Sequence, residues 1–292
     1  MQSIRATNRN GSRPFITVNL ADRGELVGFL RKHGLKADKS LGQHFLSAPT
    51  VVQAIVSAAG DYKGCLEIGP GPGILTTFLA KNAESMTAIE FDERMVPLLA
   101  DSAPTCTVIH ADALKVDLDA ILSPLPEPRV LVSNMPYYIT GPLLAKFSEV
   151  RHHLSSLVLM MQKEVGEKIV AMPGNRDRGS LSVNIQAQFS VQRIVKVPGG
   201  CFMPPPKVDS VVLKLVPRDT EFPESFAKVV KAGFMQPRKT LSNNLGATFR
   251  LERSVVLPVL EESELSETAR AFELTEEQWV KLSTSIMKLG WR

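Results

Sequence analysis

An apolar run that stops at a polar corner lies near the middle of the chain and reads Val130-Leu131-Val132-Ser133-Asn134-Met135-Pro136-Tyr137. Its first three residues are apolar without alternation, which is typical of a strand covered on both faces in a parallel α/β sheet. Such sheets bind ligands beyond the carboxyl ends of their strands. The stretch therefore predicts a buried strand that ends in a ligand-binding corner.

The corner itself has the chemistry to bind an amine on a flat ring. Pro136 fixes its own φ and has no N–H, so the backbone after the strand is stiff. The Asn134 side-chain oxygen and the Pro136 carbonyl can accept hydrogen bonds, and two acceptors suit an exocyclic NH₂ group. Tyr137 adds a face on which a base can stack. The same four residues also fit an ordinary Asn-x-Pro turn, so the rest of the chain has to decide.

Strand and helix patterns alternate on both sides of this stretch. We expect helices at 25–32 and 49–59, strands at 64–68, 85–90, 105–110, 129–133, 156–161, 190–196 and 208–215, and further helices at 73–82, 93–101, 142–149, 163–171 and 179–188. This alternation predicts an α/β fold with a doubly wound parallel sheet and right-handed crossovers. The last two strands follow closely on one another and are expected to pair as an antiparallel edge.

The pattern also predicts three regions along the chain. Residues 1–38 are expected to be a flexible basic N-terminal extension, because the segment before Gly24 lacks periodicity. Residues 39–217 form the α/β domain. From Phe222 onward the pattern is helical only, which predicts a small all-α C-terminal domain over 218–292.

Composition narrows the class of protein. The chain has 292 residues with 44% apolar and 22% charged side chains, and no apolar run approaches the ~18 to 20 residues that cross a bilayer. No apolar segment of a signal peptide follows the N-terminal arginines, so we expect a cytoplasmic protein. The cysteines, Cys65, Cys106 and Cys201, are odd in number and far apart, which indicates reduced thiols. We expect no metal site, since closely spaced Cys/His pairs are lacking.

The net charge of +4 is distributed unevenly. Residues 1–46 contain eight Lys/Arg and three acids, a balance of +5, and residues 228–253 contain six and one, again +5. Residues 254–280 contain one basic and seven acidic side chains, a balance of −6. Basic clusters are typical of contact with a phosphate backbone, although each one alone equally fits a solvated helix face.

A glycine loop between the first strand and its helix reads Glu67-Ile68-Gly69-Pro70-Gly71-Pro72-Gly73. Glycines let the backbone turn tightly and approach a ligand. A dinucleotide fingerprint needs G-x-G-x-x-G, but position 74 is Ile, which disfavours nicotinamide and flavin cofactors. The acid ahead of the loop disfavours a pyrophosphate and suits a ligand with an ammonium group.

Two more acids end the following strands. Glu90 comes 21 residues after Gly69, the distance at which an acid accepts hydrogen bonds from ribose hydroxyls. Asp112 follows the third strand and can meet an adenine amine. Each acid alone also fits a helix N-cap or a surface position. Three acids at successive strand ends together describe a nucleoside that carries an amino acid, namely S-adenosylmethionine.

These motifs resemble the class I (Rossmann-like) adenine-amine methyltransferases, whose corner motif is (N/D/S)-x-P-(Y/F/W). More closely, the chain resembles the KsgA (RsmA) family of ribosomal RNA small-subunit adenine dimethyltransferases from about Lys39 to Leu245. The pieces that carry this resemblance are 42–46 (Gly-Gln-His-Phe-Leu), 67–73, 134–137, 162–165 (Gln-Lys-Glu-Val), 202–210 (Phe-Met-Pro-Pro-Pro-Lys-Val-Asp-Ser) and 234–245. The family usually has Asn at His44 and Leu at Met135.

The resemblance implies a set of site residues. The cofactor-binding set is Gln43, His44, Leu46, Glu67, Gly69, Gly71, Glu90, Asp112 and Asn134. Asn134, Pro136 and Tyr137 would be catalytic, Tyr137 and Phe202 would sandwich the target adenine, and Arg238 and Lys239 would bind RNA. Phe202 has an alternative as a core ring beside the three prolines at 204–206.

The resemblance also implies the activity. The protein would be an RNA-binding enzyme of rRNA processing and ribosome biogenesis. It would dimethylate two adjacent adenosines near the 3′ end of 16S ribosomal RNA in the immature small subunit, acting as a cytoplasmic monomer. Three alternatives stay open: Erm-like dimethylation of one 23S adenosine, a non-catalytic ribosome assembly factor, and a mitochondrial transcription-factor relative.

Overall fold

The computed structural model of the protein describes residues 18–35 and 43–290. The chain divides into two compact units. The first contains the described residues up to Gly166 together with Val191–Pro217, and the second contains Glu167–Ser190 and the described residues from Arg218 onward. The segment 167–190 therefore groups with the C-terminal helices, whereas the sequence pattern places it in the α/β domain.

The helices and strands follow in chain order. They are α1 (Arg23–Lys32), β1 (Phe45–Leu46), α2 (Pro49–Ala59), β2 (Gly64–Ile68), α3 (Thr76–Leu79), β3 (Ser85–Glu90), α4 (Val96–Ser102), β4 (Thr107–His110), α5 (Leu118–Leu122), β5 (Arg129–Asn134), α6 (Thr140–Glu149), β6 (Ser156–Gln162), α7 (Lys163–Ile169), α8 (Ser180–Gln188), β7 (Phe189–Val197), β8 (Phe202–Met203), β9 (Ser210–Pro217), α9 (Phe226–Gly233), α10 (Leu241–Phe249), α11 (Arg253–Glu262) and α12 (Glu276–Lys288).

A seven-stranded sheet forms the centre of the first unit, in the order β4-β3-β2-β5-β6-β9-β7. The five strands from β4 to β6 are parallel, and β9 pairs antiparallel with β6. The α/β prediction is confirmed, and β9 and β7, the last two long strands, are neighbours at one edge of the sheet as expected. Every residue of β2 and the middle of β5 are buried, as expected of strands with both faces covered.

Helix α1 lies inside the segment predicted as a flexible extension. Asp22 caps it by accepting hydrogen bonds from the Gly24 and Glu25 N–H groups. Leu26, Phe29 and Leu30 follow helical spacing and pack in the main core. The part of that segment from 18 to 35 is therefore ordered structure, while residues 1–17 and 36–42, including the Gly42 motif position, lie outside the described residues.

A two-stranded sheet that the sequence patterns missed joins distant parts of the first unit. Strand β1 pairs antiparallel with β8, with Phe45 opposite Met203 and Leu46 opposite Phe202. Ser47 extends the pairing, because its N–H donates to the Cys201 carbonyl at 2.7 Å. This pairing fixes the segment that begins at Gln43.

Among the described residues, no helix combines the length and the apolar character needed to cross a membrane.

The second unit is built around helices α8 to α12. Trp279 is fully buried in its core and stacks on Phe234, with ring centroids 5.7 Å apart. Arg178 is also buried: its guanidinium donates to the Ala171 carbonyl at 2.7 Å and contacts Gln186 and Glu276. The aromatic pair and the buried ion pair hold segment 167–190 and the C-terminal helices in one core.

The close approach of α9 to Trp279 predicts that Gly233→Ala destabilises the second unit. An added Cβ would lie 2.5 Å from Trp279 Cη2 and 3.0 Å from Leu241 Cδ1, so side chains must move, at a cost of about 1 to 3 kcal/mol. Urea unfolding measures the loss. The control is Gly28→Ala in α1, where a Cβ meets nothing within 4 Å. Equal midpoints for the two variants would contradict this packing.

Candidate active site

A cavity of about 250 Å³ lies beyond the carboxyl ends of β2, β3, β4 and β5. This is the edge where parallel sheets bind ligands. Eleven of the residues predicted for the site line it: Gln43, His44, Leu46, Glu67, Gly69, Gly71, Glu90, Asp112, Asn134, Pro136 and Tyr137. The structure thus brings together the N-terminal loop, the glycine loop, the strand-end acids and the Asn-x-Pro-Tyr corner.

The glycine loop has a backbone that other residues adopt only with strain. Gly69, Gly71 and Gly73 have φ values of 69°, 56° and 95°. A Cβ at Gly73 would lie 2.4 Å from Ser102 Oγ, whose hydroxyl donates to the Pro72 carbonyl at 3.0 Å. The glycines are therefore required by conformation at all three positions and by space at Gly73.

Glu67 lies at the bottom of the loop and is 1% exposed. Thr76 Oγ1 donates a hydrogen bond to its Oε2 at 2.6 Å. Burial raises the pKa of Glu67 to about 8, and the hydrogen bond from Thr76 offsets part of the rise. At neutral pH the carboxyl group therefore holds its proton, and a nearby cation would favour its release.

Glu90 connects two loops at the edge of the cavity. Its carboxylate accepts hydrogen bonds from the Gly71 N–H at 2.9 Å and from the Asp92 N–H at 2.8 Å. Burial raises the pKa of Glu90, and these two N–H groups oppose the rise. Asp92 in turn accepts a hydrogen bond from Gln43 Nε2 at 2.6 Å, which ties the N-terminal loop to the same edge.

Asp112 and Asp92 are held by neighbours in the chain. The Leu114 N–H donates to Asp112 Oδ1 at 3.0 Å, and Lys115 Nζ lies 3.5 Å from Asp112 Oδ2. Hydrogen bonds from Arg94 lower the pKa of Asp92, so this carboxylate stays ionised at neutral pH. Sequence reasoning did not select Asp92, although its place two residues after Glu90 is a signal that could have found it.

The corner after β5 is anchored from several sides. Ser133 Oγ donates to the Ile68 carbonyl at 2.9 Å, which fixes the end of β5 against β2. Asn134 Nδ2 donates to the His44 carbonyl at 3.5 Å. This bond fixes which end of the amide is the NH₂ group, so the other end carries the acceptor Oδ1. The amide is therefore set by the N-terminal loop.

Pro136 and Tyr137 also have partners within the protein. The Pro136 carbonyl accepts from the Ile139 N–H at 3.2 Å and from Thr140 Oγ1 at 3.4 Å, so it caps the helical turn that follows. The Tyr137 hydroxyl shares a hydrogen bond of 2.8 Å with Ser210 Oγ. Burial raises the pKa of Tyr137, which keeps the phenol protonated.

Three predicted site residues are not among those that line the cavity. Phe202 is fully buried in the core of the first unit and does not line the cavity, which matches the alternative that the sequence left open. Its ring is covered in this conformation because β8 pairs with β1 directly over the core. Arg238 and Lys239 are exposed between α9 and α10 of the second unit.

The sequence analysis also missed two exposed aromatic rings at the cavity, Phe91 (61% exposed) and Tyr138 (67% exposed).

Elsewhere on the first unit, ligand atoms of Asp119, His152 and His153 lie within 4.8 Å of one another. His152 and His153 are adjacent in the sequence, so the expectation that the chain lacks closely spaced Cys/His pairs is wrong. In this structure His153 Nε2 and Asp119 Oδ1 are hydrogen-bonded at 2.8 Å.

A mixed sheet with five parallel strands, acids at three strand ends and an Asn-x-Pro-Tyr corner on one cavity defines a class I, S-adenosylmethionine-dependent methyltransferase. A family model described as ribosomal RNA adenine dimethylase matches residues 34–288. The chain belongs to this family of ribosomal RNA adenine dimethylases.

Relatives and solved structures agree with this assignment. "Ribosomal RNA small subunit methyltransferase A" of Macrococcus caseolyticus is 39% identical, and the match covers 89% of this chain and 93% of that protein. The protein of the same name from Geobacillus thermodenitrificans is 40% identical, with 78% and 82% covered. A dimethyladenosine transferase from Plasmodium falciparum has a TM-score of 0.72 at 28% identity, over 85% of this chain and 98% of that one. The structure of the 23S rRNA methyltransferase ErmE has a TM-score of 0.63 at 26% identity, over 83% of this chain and 99% of that one.

The cavity fits the cofactor of this family. The buried Glu67 carboxyl is a group that an ammonium ion would ionise, and Glu90 is oriented by two backbone N–H groups. At Gly69 and Gly71, which line the cavity, the left-handed backbone carries no side chain, and this leaves space for the amino-acid end of S-adenosylmethionine. The acidic groups of the cavity and the space beside its glycine loop are therefore both suited to a cationic nucleoside.

The raised pKa of Glu67 predicts how stability changes with pH. In the unfolded chain this carboxyl ionises near pH 4.5, but in the folded protein only near pH 8. Its contribution to stability is therefore fully present below about pH 4.5 and is lost as the pH rises to about 8. Glu67→Gln removes this penalty, so the variant should gain stability relative to the wild type between pH 5 and pH 8.

Urea unfolding of the protein without cofactor at several pH values tests this expectation. The matched control is Glu149→Gln, which changes an exposed carboxyl group of the same unit. The prediction fails if the difference between Glu67→Gln and the wild type is the same at pH 5 and pH 8.

Proposed function

We propose that this protein transfers methyl groups from S-adenosylmethionine to the exocyclic amines of two adjacent adenosines near the 3′ end of 16S ribosomal RNA, in the immature small subunit. The observation that carries the proposal is the corner from Asn134 to Tyr137, which opens into the same cavity as Glu67 and Glu90. The names of the relatives, which are small-subunit methyltransferases at 39% and 40% identity, support the choice of RNA.

Within the cavity we assign the cofactor contacts by the chemistry of each side chain. Glu67, Gly69 and Gly71 would hold the methionine part, Glu90 the ribose and Asp112 the adenine. Gln43, His44 and Leu46 would close the site from the N-terminal loop, since Gln43 is already bonded to Asp92. When bound, S-adenosylmethionine supplies an electrophilic methyl group on a sulfonium sulfur.

The corner residues prepare the amine for attack. The lone pair of an adenine amine is delocalised into the ring, so the nitrogen is a poor nucleophile. Asn134 Oδ1 accepts one N–H bond and thereby favours a more tetrahedral nitrogen in line with the methyl group. As the N–C bond forms and the C–S bond breaks, the nitrogen becomes cationic, and its proton is then lost to solvent. A strong base is not required.

The Pro136 carbonyl is the second acceptor in this proposal. It already accepts from the Ile139 N–H, and the longer contact with the Thr140 hydroxyl can be exchanged for the amine because a hydroxyl rotates. A monomethylated amine has only one N–H left, so one acceptor must give up its bond in the second transfer. Pro136 can do so at low cost, since its carbonyl keeps the bond from the Ile139 N–H and can accept from the Thr140 hydroxyl again.

Binding of the RNA requires the adenosine to leave its stack, which costs least in a loop or an unpaired strand. Tyr137 would stack on the extruded base. The exposed Arg238 and Lys239, within the basic segment 228–253, would contact phosphates. The role of Phe202 as a second stacking ring stays a prediction, as do the cytoplasmic location and the monomeric state.

Transfer of labelled methyl groups tests the function directly. Immature small subunits and naked 23S RNA are incubated with the protein and labelled S-adenosylmethionine, and the nucleosides are then analysed. Dimethyladenosine at two adjacent sites of the small subunit is expected. Label only in 23S RNA would favour the Erm-like alternative, and no label in either RNA would favour a non-catalytic assembly factor.

Asn134→Ala should reduce methyl transfer by at least about 100-fold, the usual cost of removing one hydrogen bond that forms in the transition state. RNA binding should change little, because one small polar group is lost from a large interface. Asn134→Asp keeps an acceptor oxygen and should retain part of the activity. An equal loss of RNA binding and turnover in Asn134→Ala would count against the assignment.

Replacement of both Arg238 and Lys239 by Gln should weaken RNA binding and lower the slope of log Kd against log salt by about 1.4 to 1.8, or 0.7 to 0.9 for each phosphate contact. The affinity for S-adenosylmethionine should not change. The control variant Lys281→Gln/Lys288→Gln removes the same charge from α12, where both lysines face acids. If the control has the same effect, net charge and not a local contact explains the loss.

A further inference from the structure

Two histidines and one aspartate of the first unit bring their polar atoms together at the surface. His153 Nε2 lies 2.8 Å from Asp119 Oδ1, and His152 Nε2 lies 3.4 Å from the same oxygen. The ligand atoms of the three side chains all lie within 4.8 Å of one another. Two imidazole nitrogens and a carboxylate oxygen therefore meet at a spacing that a single ion could bridge.

The three residues come from two separate segments of the chain, each with its own local structure. Asp119 lies in the first turn of α5, which Asp117 caps. His152 and His153 belong to a short helical turn between α6 and β6, in which the His153 N–H donates to the Val150 carbonyl at 3.0 Å. The backbone is therefore set on both sides, and no loop has to fold around an ion.

The kinds of ligand atom select the class of ion. Imidazole nitrogens suit Zn²⁺, Ni²⁺ and Cu²⁺, whereas Mg²⁺ and Ca²⁺ prefer oxygen ligands. In a tetrahedral zinc site the ligands lie about 2.0 to 2.2 Å from the metal, so the ligand atoms are about 3.3 to 3.6 Å apart. The two nitrogen–oxygen distances here, 2.8 Å and 3.4 Å, are close to that spacing. Three protein ligands leave the fourth position to water.

The cluster is open to solvent and its present contacts are easily replaced. The side chains of His152 and Asp119 are 61% and 57% exposed, while that of His153 is 18% exposed. Contacts between exposed ionisable groups contribute little to stability, so an ion can displace them at low cost. The two exposed side chains can rotate to admit the ion, and His153 supplies the more fixed ligand.

The cluster lies at the opposite end of β5 from the cavity. Arg129, the first residue of β5, donates from Nη1 to the His153 carbonyl at 3.5 Å and accepts from the Ser155 N–H at 2.8 Å. Asn134 is the last residue of the same strand. A strand of this length spans roughly 16 Å, so an ion bound at Asp119 would not contact a ligand in the cavity.

We propose that Asp119, His152 and His153 form a binding site for a divalent d-block cation of the Zn²⁺ type. The ion links α5 to the turn before β6 and stabilises the folded first unit, and it takes no part in methyl transfer. This inference does not depend on the proposed function. It replaces the sequence-based expectation that the chain has no metal site.

Calorimetric titration of the full-length protein with Zn²⁺ tests the site. The protein is first cleared of metal with a chelator, and its thiols are kept reduced. The variants His152→Ala and Asp119→Ala each remove one ligand. The matched controls are His110→Ala and Asp61→Ala, which remove an exposed histidine and an exposed aspartate elsewhere in the same unit. Titration with Mg²⁺ tests the selectivity for nitrogen-binding ions.

The two ligand variants should bind Zn²⁺ at least about 10- to 100-fold more weakly than the wild type, since even loss of an outer partner of a metal ligand costs that much. Both controls should bind like the wild type, and Mg²⁺ should not bind at the same concentrations. Zn²⁺ should raise the urea midpoint of the wild type, because an ion that binds the folded state stabilises it. The rise should be absent in the ligand variants, whose methyl transfer should equal that of the wild type.

Three results would overturn the inference. Equal affinity for Zn²⁺ in the wild type and the ligand variants would refute the site. A loss of the same size in His110→Ala or Asp61→Ala would show non-specific surface binding. An unchanged urea midpoint, or reduced methyl transfer in the ligand variants, would refute the structural role. A wild type inactive on both RNAs would refute the proposed function, but the binding and unfolding measurements would still decide on the metal site.

Discussion

Parallel pairing of β2 with both β3 and β5 is the constraint on which the site depends. Because the three strands run in the same direction and in register, their carboxyl ends meet at one edge of the sheet. Glu67, Glu90 and Asn134 lie at these ends, so the pairing that buries the strands also brings the polar groups together. A shift of one residue in either strand would turn its side chains to the other face.

Burial gives these polar groups properties that they lack in water. The Glu67 carboxyl is so well enclosed that its pKa rises to about 8. Burial also raises the pKa of Glu90, but two backbone N–H groups offset part of that rise. A neutral carboxyl costs much less to bury than a carboxylate, and it can become an anion when a cation enters. The cavity is thus electrostatically suited to a positively charged ligand, and its glycine loop provides the space for it.

The second constraint is the short pairing of β1 with β8. It places the segment from Gln43 to Ser47 against the cavity, where Gln43 bonds to Asp92 and the His44 carbonyl receives Asn134. The same pairing covers Phe202 and brings His44 close to Tyr137. One interaction therefore positions both the N-terminal loop and the carbonyl that binds the Asn134 amide.

The sequence by itself determined the parallel α/β class, the positions of most strands within a few residues, and the acids at the strand ends. These features are local: a covered strand has a continuous apolar run, and the residue that follows it is at the ligand-binding edge. The corner from Asn134 to Tyr137 and the glycine loop carry their own spacing, so their roles could be predicted without coordinates.

Only the tertiary structure decided which distant segments meet. The pairing of Leu46 with Phe202, the grouping of Glu167–Ser190 with the C-terminal helices through Arg178, and the approach of His152 and His153 to Asp119 all join residues far apart in the chain. Local patterns contain no information on such pairs, because each segment satisfies its own periodicity in many packings. Burial of Phe202 follows from the first of those contacts, and for that reason the sequence left the role of its ring open.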